Sequence, residues 1–111
     1  MFARVTTLQI QPDKVEELQQ VALDTVLPTV QHQAGFRGQL RLVDSKTGKG
    51  MTISLWASEA DLNTYEASGA IQNIRAATGQ FYEMPPFTES FALDLLVDAQ
   101  GRQTDTFVAF S

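Results

Sequence analysis

The stretch Gln33-Ala34-Gly35-Phe36-Arg37-Gly38 decides the fold, together with the two alternating runs around Gly48-Lys49-Gly50 and the closing segment Ile53-Ser54-Leu55-Trp56-Ala57-Ser58-Glu59-Ala60-Asp61. Gly35 follows a helical pattern and suits the position just past a helix end, because glycine reaches the left-handed backbone region at little cost. Gln39 to Asp44 alternates Leu40 and Leu42 with Gln39 and Arg41. Met51 to Ala57 places Met51, Ile53 and Leu55 on one face and Thr52, Ser54 and Trp56 on the other. The turn cluster Asp44–Gly50 joins these runs into a hairpin. Ser58 then caps a new helix, with Asp61 at the third helical position as a relative of the capping box.

Outward from this stretch the pattern repeats. Phe2 to Ile10 is rich in β-branched residues and reads as a strand. Pro12, Asp13, Glu16 and Glu17 favour a helix N-terminus, and Val15, Leu18, Ala22 and Val26 form its apolar stripe. Pro28 falls inside this pattern, so a kink or break is expected near Leu27. Leu62, Tyr65, Ile71 and Ile74 continue a second helical pattern, interrupted at Ser68-Gly69 and ended at Gly79. After Pro85-Pro86, Phe87 to Val97 reads as a last long strand.

The order strand, helix, strand, strand, helices, strand is that of an α+β ferredoxin-like split βαβ fold, with a four-stranded antiparallel sheet. Right-handed crossovers put both helical regions on one sheet face. Residues 1–97 make this domain, and 98–111 form a C-terminal tail in which Thr106 to Phe110 has the composition of an extra edge strand. Both strand parities carry apolar residues, so the uncovered sheet face would be a large apolar patch. A homodimer with sheets face to face is the expected assembly.

Composition narrows the function. The chain has 111 residues, a net charge of −5 and no cysteine. The acidic balance argues against nucleic acid and an anionic membrane surface. Without cysteine there is no disulfide framework or thiolate nucleophile. No apolar run reaches membrane-spanning length and the N-terminus lacks a signal-peptide pattern, so a cytoplasmic protein is expected. No two-histidine metal motif, phosphate loop or nucleophile elbow is present, and no metal site is expected.

Gln11-Pro12-Asp13-Lys14, Ala34-Gly35-Phe36-Arg37-Gly38, and Ile53-Ser54-Leu55-Trp56 leading into Ser58-Glu59-Ala60-Asp61 carry a family resemblance. In these pieces and their spacing, residues 2–97 resemble the antibiotic-biosynthesis-monooxygenase-like (ABM) domains of the dimeric α/β-barrel superfamily. One branch is similar to oxygenases that convert aromatic phenols or quinols to quinones without metal or flavin, the substrate anion supplying the electrons. The resemblance thus implies a cofactor-independent monooxygenase, an oxidoreductase, acting on a small aromatic or quinol-type substrate. Trp56 is retained, Arg75 lies near that branch's arginine, and Thr52 and Leu62 stand where it has asparagine and tyrosine. The haem-degrading branch shares only Trp56, its histidine falling near Arg75 and its asparagine near Val5. The alternative is a non-enzymatic, dimeric small-ligand-binding or stress-associated module.

The candidate catalytic residues are therefore Trp56, Arg75 and His32. Trp56 would be a pocket wall, against its plainer role as a core aromatic. Arg75 or His32 would stabilise or generate the substrate anion, although a histidine at a helix end also serves as a surface cap. Thr52, Tyr65, Phe36, Phe81 and Phe87 are the candidate substrate contacts. Phe81, Tyr82, Met84 and Phe87 cluster around Pro85-Pro86 either as a rim over an apolar pocket or as an ordinary packing contact. Arg4, Arg41 and Asp94 are charges within strands, facing solvent or paired, unless an arginine enters the pocket to hold a phenolate or carboxylate.

Overall fold

The computed structural model describes residues 1–105, so the edge strand expected at Thr106 to Phe110 lies outside the described residues. Four strands, β1 (Phe2–Gln9), β2 (Phe36–Val43), β3 (Lys49–Trp56) and β4 (Phe87–Ala92), form one sheet in the order β2-β3-β1-β4. Every pair is antiparallel. The helices are α1 (Val15–Val21), α2 (Leu27–Val30), α3 (Glu59–Ala67) and α4 (Ala70–Thr78). This is the expected α+β ferredoxin-like arrangement.

The local signals act as their chemistry requires. Gly35 has φ +81°, and a Cβ there would overlap the Asp61 side chain. Asp61 is held in place by Ser58, whose Oγ accepts from the Asp61 N–H at 3.1 Å and donates to its carboxylate at 3.1 Å. The hairpin turn between β2 and β3 contains Gly48 at φ +78°, packed so closely on the Ile10 carbonyl that a side chain would overlap it.

One expectation is met in another form, and a second is corrected. Pro28 does not break the first helical region. The chain stays helical through a π-helical segment, Ala22–Val26, in which the Leu27 N–H reaches back to the Ala22 carbonyl. The wider register accommodates a proline that lacks an N–H and would crowd the carbonyl of Asp24. The last strand is also shorter than its alternation suggests. It ends at Ala92, opposite Phe2, the first residue of β1. Leu93 takes one last bond, N–H to the Met1 carbonyl at 2.9 Å, and the chain then leaves the sheet. A turn follows in which Asp98 receives the Arg102 and Gln100 N–H groups and the Arg102 Nε. The Arg102 N–H above all, with the guanidinium and Gln100, holds the Asp98 carboxyl below its ordinary range, against the opposing effect of burial.

The sheet's two faces are unequal. On the helix side, β1, β3 and β2 end in Phe2, Trp56 and Phe36, and near the other end in Leu8 and Val43. Between these lie Arg4, Thr6, Thr52, Ser54, Gln39 and Arg41, in adjacent register. The packed core is therefore divided. One cluster joins Trp56, Tyr65, Leu62, Ile71 and Val30; the other joins Leu8, Ile10, Leu18 and Phe81. On the outward face the same register aligns Leu40 with Ile53 and Val5, and Leu42 with Met51. Leu42, Phe87 and Phe91 are exposed there.

Candidate functional site

The polar middle of the helix-side face forms the floor of a cleft with two lobes. The large lobe, about 630 Å³, lies between β1, α3, α4 and the segment 82–86. The small lobe, about 100 Å³, extends beneath α1, the π segment and α2, over β2 and β3. Arg4, Thr6, Tyr65, Ile74 and Tyr82 line both. Ile71, Met84, Pro85 and Pro86 make much of the large lobe's wall apolar. An apolar recess with a few convergent polar groups is the usual form of a small-molecule site.

Two strand arginines dominate its electrostatics. Arg4, with a side chain 16% exposed, donates from Nη1 to Thr6 Oγ1 at 3.3 Å, and its guanidinium lies 5.7 Å from the Tyr65 ring centroid. Glu66 stands 4.0 Å from Arg4 Nε, too far for a hydrogen bond, and Nε is buried without a partner. Arg41, two strands away in the small lobe, has both Nε and Nη2 buried and unpartnered. Burial lowers the Arg41 guanidinium from its ordinary value, partly offset by Tyr82. Arginine nonetheless stays charged throughout the physiological range. Most buried donors in folded proteins are hydrogen-bonded, so three unpartnered N–H-bearing atoms around one cleft are a specific feature of this site. Burial likewise raises the Tyr65 phenol; the charge of Arg4 opposes this and that of Glu66 adds to it. At neutral pH Tyr65 therefore remains a hydroxyl group.

Several candidates from the sequence come together here. Tyr65 lines both lobes, Arg75 lines the large lobe and Thr52 the small one. The interruption at Ser68-Gly69 does not part Tyr65 from Arg75. Ser68 Oγ donates to the Tyr65 carbonyl at 2.6 Å, and α4 restarts at Ala70.

Other candidates lie elsewhere. Trp56 is completely buried behind Tyr65, stacked on its ring at 4.6 Å, and does not line the cleft. Phe36 packs edge-on against Trp56 at 5.6 Å. Phe81 belongs to the second core cluster. Phe87 is 62% exposed, because Thr88 takes the cleft-facing parity of β4. His32 is exposed after α2 and lines neither lobe, and Asp94 is exposed beyond β4. Conversely, Arg4 and Arg41 were legible as strand charges and Tyr82 and Met84 as members of the rim cluster, but Thr6 and Thr88 carried no sequence signal until register aligned them.

No helix among the described residues is long and apolar enough to cross a membrane. A comparison with curated protein sequences returns no match. The fold is shared with several solved structures. A monooxygenase from the Streptomyces coelicolor gene ActVA-Orf6, solved with nanaomycin D, superposes with a TM-score of 0.74 at 17% identity, covering 86% of this chain and 89% of that one. Rv0793 from Mycobacterium tuberculosis gives 0.65 at 20% identity, with 88% and 97% covered. A Nitrosomonas europaea protein of unknown function gives 0.65 at 20%, with 86% and 94% covered. The sequence profile of the antibiotic biosynthesis monooxygenases matches residues 1–77, and the chain belongs to that family.

Proposed function

We propose that the chain is a cofactor-independent monooxygenase whose substrate, a small phenol or quinol, occupies the large lobe. The observation that supports this most is the meeting of an apolar recess of about 630 Å³ with the Arg4 guanidinium, whose Nε makes no hydrogen bond. Ionising a phenol creates an electron-rich ring. Its para carbon, which in the substrate carries a hydrogen, gives an electron pair to O2, forming a C–O bond. Loss of that carbon's proton and cleavage of the O–O bond then leave a quinone and water. The protein's part is to hold the anion and exclude bulk water, and fixed donors are most effective in such a recess. Arg4 and Arg75 supply positive charge along the large lobe, and the Tyr65 ring is a flat wall.

Oxygen uptake with a panel of phenols and hydroquinones, followed together with quinone absorbance, tests the reading. Turnover above autoxidation is expected, with kcat/KM about 10²-fold lower in Arg4→Met. No enzyme-dependent uptake across the panel would remove it.

One observation favours a second reading. His32, the chain's single histidine, is outside the cleft, so no imidazole base faces the bound molecule. A dimeric binding module would hold the same ligands, raise the melting temperature with them, and turn none over.

The outward sheet face supports self-association under either reading. Val5, Leu40, Ile53 and Met51 are in register there, with Leu42, Phe87 and Phe91 exposed around them. A second copy bringing the same face would cover a patch of the kind that marks interfaces.

A further inference from the structure

We infer that the ligand carries a carboxylate, seated in the small lobe on the side-on edge of Arg41. This rests on the cleft being the substrate site and adds the chemical class of what enters it.

The two Arg41 atoms left without partners are Nε and Nη2. These are the pair whose N–H bonds point the same way along one edge of the guanidinium, and that edge binds a carboxylate through two parallel hydrogen bonds. Among the described residues no carboxylate lies within ion-pairing distance of Arg41, and the small lobe has no acidic residue in its lining. The protein is otherwise acidic, at net charge −5, yet it places Arg4, Arg41 and Arg75 around this one cleft, with Glu83 the one carboxylate in the lining, on the large lobe. Both atoms are closed to solvent in the unliganded chain while the rest of the side chain lines the lobe, so the Arg41 side chain turns this edge toward the lobe as the carboxylate enters.

The small lobe, about 100 Å³, is the narrower of the two, which suits a small charged group better than a ring system. Arg4, Tyr65 and Tyr82 line both lobes, so the small lobe lies directly beside the large one, where the ring system is placed. Thr52, on the neighbouring strand and paired with Arg41, adds a hydroxyl beside the carboxylate.

Calorimetric titration of the full chain with 2-naphthoate, 2-naphthamide and 2-naphthyl phosphate tests the assignment. Naphthoate is expected to bind at least tenfold more tightly than the isosteric amide. Arg41→Met should bring naphthoate down to the amide's affinity, while Arg41→Lys keeps charge without the fork and recovers only part of the difference. Melting curves of both variants report folding, and Arg41→Met should melt no lower than wild type, since it removes an unpartnered buried charge. Equal affinity for naphthoate and naphthamide, or tighter binding of the phosphate, overturns the carboxylate assignment and leaves the oxygen-uptake result standing. Binding of none of the three overturns both the assignment and the cleft as a site for aromatic ligands.

Discussion

The Trp56 indole stacks on the Tyr65 ring with centroids 4.6 Å apart and planes 23° from parallel, while its Nε1 donates to Ser54 Oγ at 3.0 Å. The tryptophan thus ties α3 to β3 and sets the position of the ring that the cleft uses. Trp56→Phe keeps an aromatic body but leaves Ser54, itself buried, without its donor. A loss of about 1–3 kcal/mol is expected in urea unfolding. Trp56→Ala should cost about 3–5 kcal/mol. With folded Trp56→Phe, a rise in KM larger than the fall in kcat would mark a positioning role.

Tyr65 makes stability depend on pH at the alkaline end. Burial, partly opposed by Arg4, raises its phenol above the ordinary 10.0. Between the unfolded and folded values the folded chain therefore holds more protons than the unfolded one. Stability is fully present below about pH 10 and falls as pH rises through the folded value. Urea midpoints measured from pH 9 to 11 should drop more steeply for wild type than for Tyr65→Phe. Parallel curves would show that the phenol is not protected by the fold.

The glycines at positions 35 and 69 should respond oppositely to alanine. Gly35 lies at φ +81° with the Asp61 carboxylate where a Cβ would go, so Gly35→Ala should destabilise by at least about 1–3 kcal/mol. Gly69 has φ −68° and ψ −6°, and a Cβ there meets nothing within 4 Å. Gly69→Ala should stabilise by about 0.4–1 kcal/mol, chiefly by restricting the unfolded chain. Chemical denaturation of both variants is sufficient.

The outward face gives a mass measurement. Leu42 on β2 and Phe91 on β4 are 54% and 50% exposed at opposite sides of the sheet. If two copies pair through this face, wild type scatters as a dimer and Leu42→Asp/Phe91→Asp as a monomer at the same concentration. A wild-type monomer at micromolar concentration would remove the pairing.

The parts legible in the sequence are those decided by neighbours along the chain. Gly35, the Ser58 cap and the turn around Gly48 each work within a few residues or through a backbone conformation that only certain side chains accept. The parts not legible depend on distant partners. Alternation in β1 separates Arg4 and Thr6 from Ala3 and Val5 but does not say which set meets the helices, since Phe2, Leu8 and Ile10 share the polar parity. The end of β4 falls opposite the first residue of β1, some ninety positions earlier, a pairing that local alternation does not contain. Phe36, Phe81, Phe87 and His32 were candidates by residue type. Only the strand register and the layer of helices decide that Phe87 turns outward while Thr88 turns in.

The division of the core into two clusters has a consequence for how such a chain can change. The residues that clamp the helices to the sheet lie at its ends: Trp56, Tyr65 and Leu62 at one, Ile10, Leu18 and Phe81 at the other. The span between them is floored by arginines, threonines and a glutamine that contribute little cohesion. Replacing those floor residues alters the shape and charge of the cleft while the clamps at both ends stay closed. The middle of the sheet is therefore free to drift in sequence without the chain having to find a new way to stay folded.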